Sequence, residues 1–191
     1  MLKLSILAGR IALAASVALL PLAVSAQTNT MSNSSSGSQM EKVSASDKKF
    51  VKQAAEGGMA EVELGKLAAE KASNPDVKKF GQRMVDDHTK VNDQLKEVAS
   101  SQGIDLPDKL TAKDEMTKEH LSKLSGEQFD RAYMSDMVKD HTQDVADFQR
   151  ESNSATDPAV KQFAQKIVPI LEDHLKEAKE IAPTTSASAK P

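Results

Sequence analysis

The 191-residue chain has no cysteine and no tryptophan, one tyrosine and five phenylalanines. Without cysteine there is no disulfide staple, no thiolate metal ligand and no thiol nucleophile. So few rings leave little on which bases could stack, and 25 basic against 28 acidic side chains offer no cationic face for nucleic acid. The eight glycines are too scattered for a dinucleotide fingerprint. Neither a P-loop, nor His-Glu-x-x-His, nor Gly-x-Ser-x-Gly occurs. No motif therefore identifies a small-molecule substrate or a covalent catalyst. The length allows one ordinary domain.

What is present begins with an export signal over residues 1–26. Lys3 and Arg10 give a positive start, an apolar run covers 11–20, and Pro21 precedes the small-residue site Val24-Ser25-Ala26. Cleavage is expected after Ala26. The uninterrupted apolar stretch is shorter than the ~20 residues a spanning helix needs, so a retained anchor ranks second. No cysteine follows that could carry a lipid. The mature protein is expected in the periplasm, with outer-membrane association and envelope protein partners as options. Residues 27–46 are rich in Ser, Asn, Thr and Gln and read as a flexible linker, and 183–191 as a disordered tail.

Residues 47–182 carry helical periodicity with clear punctuation. Helices are expected over 47–72, with Ser46 as N-cap, and over 75–101, where Asn74-Pro75 supplies a cap and a first-turn proline. A short helix over 111–124 follows, then long ones over 126–153, capped by Ser125, and from 158 to about 182, after Asp157-Pro158. Pro75, Val77, Lys78, Phe80, Gln82 and Val85 recur at constant offset as Pro158, Val160, Lys161, Phe163, Gln165 and Val168. Two helical hairpins joined by a long connection account for this. The predicted fold is all-α: a ferritin-like four-helix bundle with a short extra helix in the crossover, an up-down-up-down bundle being the runner-up. The apolar faces can satisfy one another within a monomer, so no oligomer is predicted.

Three of the four histidines share a setting: two apolar residues, one charged residue, then Asp-His, ending at His88, His141 and His174. Each replaces an aliphatic residue in the core-facing stripe of a different long helix. On the first helix Glu61 takes a core-facing place, whereas Glu63 falls on the solvated side. Folding that helix back on the next sets Gly58 opposite His88 and Gly65 opposite Gly81. His174 registers one turn from His141, and Pro169 is expected to bend its helix. His120 lies in a polar run on the short helix and reads as a surface residue. Tyr133, beside Phe129, reads as core with a satisfied hydroxyl.

Glu61, His88, His141 and His174 together could ligate Zn²⁺, Mn²⁺, Fe²⁺ or Cu²⁺, with Asp87, Asp140 and Asp173 as further or supporting groups. The competing reading makes each histidine a buried neutral ring that sets helix register. A third makes the cluster a proton switch.

Ala55-Glu56-Gly57-Gly58-Met59-Ala60-Glu61, the Asp86-Asp87-His88 stretch, Leu124-Ser125-Gly126 with Phe129-Asp130-Arg131-Ala132-Tyr133, and the segment from Pro169 to His174 resemble the DUF4142 family. The resemblance spans 46–181. It implies an exported bacterial protein, periplasmic or outer-membrane, with a ferritin-like fold and no established activity. The di-iron members of that fold place Glu three residues before each ligating His. Here those positions are Val85, Val138 and Leu171. Ferroxidase or oxygenase chemistry is therefore not expected, and neither is an enzyme.

Overall fold

The structure, a computed structural model, describes residues 43–187, and side chains as far as Ala182. The expected signal (1–26), residues 27–42 of the expected linker and residues 188–191 of the tail lie outside the described residues. Five helices are present and no strand is found among the described residues. They are α1 (Ala45–Lys71), α2 (Pro75–Ser101), α3 (Ala112–Ser122), α4 (Gly126–Ser154) and α5 (Pro158–Ala187).

Their boundaries follow local chemistry. Asn74 Oδ1 accepts from the Asp76 N–H at 2.8 Å, and Asp157 Oδ1 accepts from Ala159 and Val160 at 2.9 and 3.0 Å. Both cap-plus-proline devices act as read. Gly103 ends α2 with φ near 61°, in the left-handed region where a Cβ is strained. Three expectations shift. Helix α1 starts at Ala45 and is capped by Ser44, whose hydroxyl accepts from the Asp47 N–H at 3.0 Å; Val43 is buried in the core and draws the start back. Ser125 occupies the N-cap position of α4 but makes no side-chain cap bond. Helix α5 runs to Ala187, past the expected stop at 182, so 183–187 are helical rather than a coil tail. It also continues as helix through Pro169, which lies on the exposed face.

Helices α1 and α2 pack as one hairpin and α4 and α5 as another, with α2 against α5 and α1 against α4. The short α3 bridges α1 and α4: Leu121 is fully buried, and Lys118 Nζ meets Glu63 Oε2 at 2.6 Å. Between α1 and α2 two glycines allow close approach. A Cβ on Gly65 would stand 2.7 Å from the Gly81 carbonyl oxygen, and one on Gly81 2.7 Å from Ala68 Cβ.

Each hairpin turn is held by a buried carboxylate from the other hairpin. At one end Asp47 of α1 accepts from the backbone N–H groups of Thr156 and Asp157 at 3.1 and 2.7 Å, and from the Thr156 hydroxyl at 2.8 Å. At the other end Asp130 of α4 accepts from the N–H groups of Ser73 and Asn74 at 3.0 and 2.9 Å, and from the Ser73 hydroxyl. Asp47 and Asp130 are separated by the same offset as Pro75 and Pro158, so the internal repeat extends over whole hairpins. Burial alone would raise the Asp47 pKa, but the donors from Asp157, Ser44 and Thr156 outweigh it and hold the carboxylate below its ordinary range.

The core is divided along its length. One apolar cluster contains Phe50, Val91, Leu95, Phe148, Phe163 and Leu171; the other contains Leu64, Phe80, Met84, Tyr133, Met137 and Ala178. On each long helix a polar residue lies between the two: Glu61 on α1, His88 on α2, His141 on α4 and His174 on α5. The stripe on α4 is rotated slightly from the expected one, with Met137 buried and Val138 only half-buried.

Replacing Asp47 by Ala leaves three part-buried donors without their acceptor, which costs about 1–3 kcal/mol. Asp130→Ala is expected to cost about the same, and the double variant to lose the sum, because the sites lie at opposite ends of ~40 Å helices. Urea denaturation measures both effects.

Candidate metal centre

The three core histidines meet. Their ring centroids are 5.8 Å apart for His88–His141, 5.4 Å for His88–His174 and 5.4 Å for His141–His174. One nitrogen from each lies within 4.8 Å of the others, and all three side chains are buried. The one-turn offset expected between His141 and His174 is closed by side-chain reach.

Hydrogen bonding fixes which nitrogens face inward. His141 Nδ1 is 3.0 Å from the Met137 carbonyl oxygen, which only accepts, so Nδ1 carries the proton and Nε2 a lone pair. His174 Nε2 is 3.1 Å from Asp87 Oδ2, so that nitrogen donates to the carboxylate and Nδ1 carries the lone pair. His141 Nε2, His174 Nδ1 and His88 Nε2 are buried with no hydrogen-bond partner. A carboxylate or carbonyl that orients the far nitrogen of a ring while the near one stays free is the arrangement found behind metal-ligating histidines.

The supporting residues divide. Asp87 holds His174 and is itself held by Arg83 Nε at 3.3 Å. Burial would raise the Asp87 pKa, but the bonds from His174 and Arg83 outweigh it and lower it. Asp173 is exposed and bonds Arg83 Nη2 at 2.6 Å; it touches no imidazole and acts only through that guanidinium, which also pairs with Glu177. Asp140 is half-buried and reaches the site only by its charge. His120 is exposed, as expected.

Glu61 does not join the converging nitrogens. Its Oε1 lies 3.8 Å from His141 Nδ1, the nitrogen already turned to Met137, while Oε2 is buried without a partner. Burial, reinforced by the charges of Asp140, Asp114 and Asp136, raises its pKa to about 8. In the metal-free protein Glu61 is thus a neutral acid behind the His141 ring at neutral pH, outside the group of three nitrogens that converge. Gly58 and His88 line one cavity. Gly58 faces Asn92, whose Oδ1 would be 2.0 Å from a Cβ there. Tyr133 is core as read, stacked on Phe129 with centroids 5.8 Å apart, but its hydroxyl has no partner.

Asp144 was not singled out by the sequence, although its signal is visible: it follows His141 by one turn on the same face. Burial and the neighbouring Glu61 raise its pKa to about 7. It lines a cavity of about 210 Å³ between the hairpins, together with Gly57, Gly58 and His88. The cavity is bordered by the exposed Ser46, Lys49, Gln53 and Arg150.

Burial holds all three imidazoles below the ordinary histidine range: His88 well below it, His141 lowered, and His174 to about 4 despite its bond to Asp87. They are neutral at neutral pH, the form in which imidazole binds metal.

The fold and site define a helical bundle of two pseudo-repeated hairpins with a buried tri-histidine layer at mid-height. The DUF4142 family, described as a domain of unknown function, matches residues 32–181, and the chain belongs to that family. No curated protein matches it. Two crystal structures share the fold. One is a DUF305 fragment from Deinococcus radiodurans, with TM-score 0.66 and 16% identity, covering 74% of this chain and 98% of that one. The other is a DUF305 protein from Streptomyces coelicolor, with TM-score 0.63 and 14% identity, covering 73% of this chain and 92% of that one. No described helix is long and apolar enough to cross a membrane.

The titrations give a signed expectation for the metal-free protein. The unfolded chain protonates its three imidazoles below about pH 6.5 while the folded one does not, so stability falls as the medium turns acid. Glu61 and Asp144 hold protons when folded and lose them when unfolded, so their contribution falls as pH rises through about 7 and 8. Urea denaturation across this range is expected to show a maximum at about pH 6.5. Glu61→Gln removes a contribution that declines from the unfolded carboxyl value of about 4.5 up to about 8, so it is expected to flatten the alkaline limb and steepen the acid one.

Proposed function

We propose that the protein is an exported, non-catalytic ferritin-like bundle of the bacterial envelope that binds one transition-metal ion through His88, His141 and His174. The observation that carries this reading is the meeting of three buried imidazoles, each with a buried nitrogen that has no hydrogen-bond partner. Each unsatisfied buried nitrogen costs about 1–3 kcal/mol, and one cation would satisfy all three.

The fit is close. Nitrogens bound to one ion at ~2.1 Å in a tetrahedral arrangement stand ~3.4 Å apart, so a separation of up to 4.8 Å closes with small ring rotations. Two of the three rings are already held from behind by Met137 and Asp87. A donor set of neutral imidazoles, without a converging carboxylate oxygen, suits Cu²⁺ or Zn²⁺ better than Mn²⁺. The export signal in the sequence supports the envelope assignment. Absence of Glu three residues before each His supports a mononuclear site over a di-iron one.

A second reading keeps the rings as packing and a pH response. It is favoured by their mutual edge-on contacts, with interplanar angles of 78° and 74°.

Metal content and thermal melting of the mature protein separate the two. At ~100 Kd of free Cu²⁺ or Zn²⁺ a bound ion adds about 2.7 kcal/mol, which raises Tm by roughly 5–10 °C. His88→Ala and His141→Ala are expected to abolish both stoichiometric uptake and the shift while folding normally. Equal melting of wild type with and without metal, and no retained ion after dialysis, leaves only the packing reading.

A further inference from the structure

The cavity between α1 and α4 touches the tri-histidine layer at one place. Of the three rings only His88 lines it, with Asp144 beside it and Gly57 and Gly58 forming the facing wall of α1. His88 is 4% exposed, and its Nε2 is buried without a partner. The remaining deep lining is apolar, including Leu95, Phe148 and Leu171. The path is therefore polar at its two ends and greasy between them.

Gly57 keeps that path open. A Cβ built there meets nothing within 4 Å, whereas at Gly58, Gly65 and Gly81 it would meet atoms at 2.0, 2.7 and 2.7 Å. Packing thus explains three of these helical glycines, and it does not explain Gly57. A glycine inside a long helix weakens it relative to alanine, and here the space it leaves belongs to the cavity.

Three protein ligands leave a fourth position on a tetrahedral ion, the feature that separates exchangeable metal sites from closed structural ones. We infer that the cavity beside Gly57 is the entry path for a small monodentate inorganic anion, which binds the open position of the metal held by His88, His141 and His174. This rests on the metal reading given above. The binding is ligand exchange: the anion displaces a bound water, and no electron or group is transferred. A volume of about 210 Å³ admits a triatomic anion with room for water.

The probe is sodium azide added to the Cu²⁺-loaded protein, followed by the azide-to-copper charge-transfer absorption and by copper paramagnetic resonance. Wild type is expected to develop the band with saturation. Gly57→Leu fills the path from a position where the new side chain meets no neighbour at its root, and it is expected to slow or weaken azide binding at least tenfold with copper stoichiometry unchanged. Gly57→Ala carries the same gain in helix propensity and adds only a methyl group; it is expected to bind azide as wild type does. Ala54→Leu, on the same wall one turn away, gives an independent block.

If copper binds with imidazole hyperfine coupling but azide changes nothing, the centre is closed and this inference falls while the metal reading stands. If azide binds equally to wild type, Gly57→Leu and Ala54→Leu, the cavity is not the path and the inference is overturned. If copper does not bind the histidines at all, both fall together.

Discussion

Three imidazole rings, buried and meeting at the mid-height of the bundle, are the constraint around which this fold is arranged. Two of the rings turn their remaining proton outward, to a carbonyl for His141 and to Asp87 for His174, and a nitrogen of each of the three is left without a partner. The core gives up continuity for this layer. Apolar clusters lie on either side of it, and a polar residue interrupts the stripe of each long helix at the same level. A core without such a layer would be drier and simpler to satisfy. Orphaned polar atoms are rare in folded proteins, and their gathering at one depth is what singles out this region.

The frame that keeps the layer level is electrostatic and lies far from it. Asp47 and Asp130 each stitch a turn of the opposite hairpin, at opposite ends. Fixing both ends sets the axial register of one hairpin against the other, and register decides whether rings on different helices share a height. Closer in, Arg83 gathers Asp87, Asp173 and Glu177 on the α2–α5 side, so the carboxylate behind His174 is itself held. Positioning thus passes from exposed charges through Asp87 to a buried ring.

The two hairpins descend from one pattern, yet the site is asymmetric. Asp47 and Asp130, Phe80 and Phe163, and Glu61 and Asp144 correspond at constant offset. The histidines do not: the counterparts of His88, His141 and His174 are Leu171, Gly58 and Val91. One hairpin supplies a single ring and the other supplies two. Burial raises the pKa of both corresponding acids, Glu61 to about 8 and Asp144 to about 7, with the Glu61 charge adding to the shift of Asp144. The DUF305 structures share this architecture at 16% and 14% identity, a likeness of backbone only.

Sequence alone determined the helices, because caps, prolines and apolar spacing act within a few residues of each other. It also determined that His88, His141 and His174 face inward, since each continues an aliphatic stripe. It misplaced what depends on neighbours across the core. Glu61 is inward by period but lies behind a ring, and the space beside Gly58 is taken by Asn92. The start of α1 moved to Ser44 because Val43 is buried by residues distant in the chain. Asp144 follows His141 by one turn, but its place in the cavity wall depends on the second hairpin lying against the first. Periodicity gives a direction around one helix axis. Distances between atoms on different helices depend on register, set here by two carboxylates and by the side chains between them, and that only the tertiary structure decided.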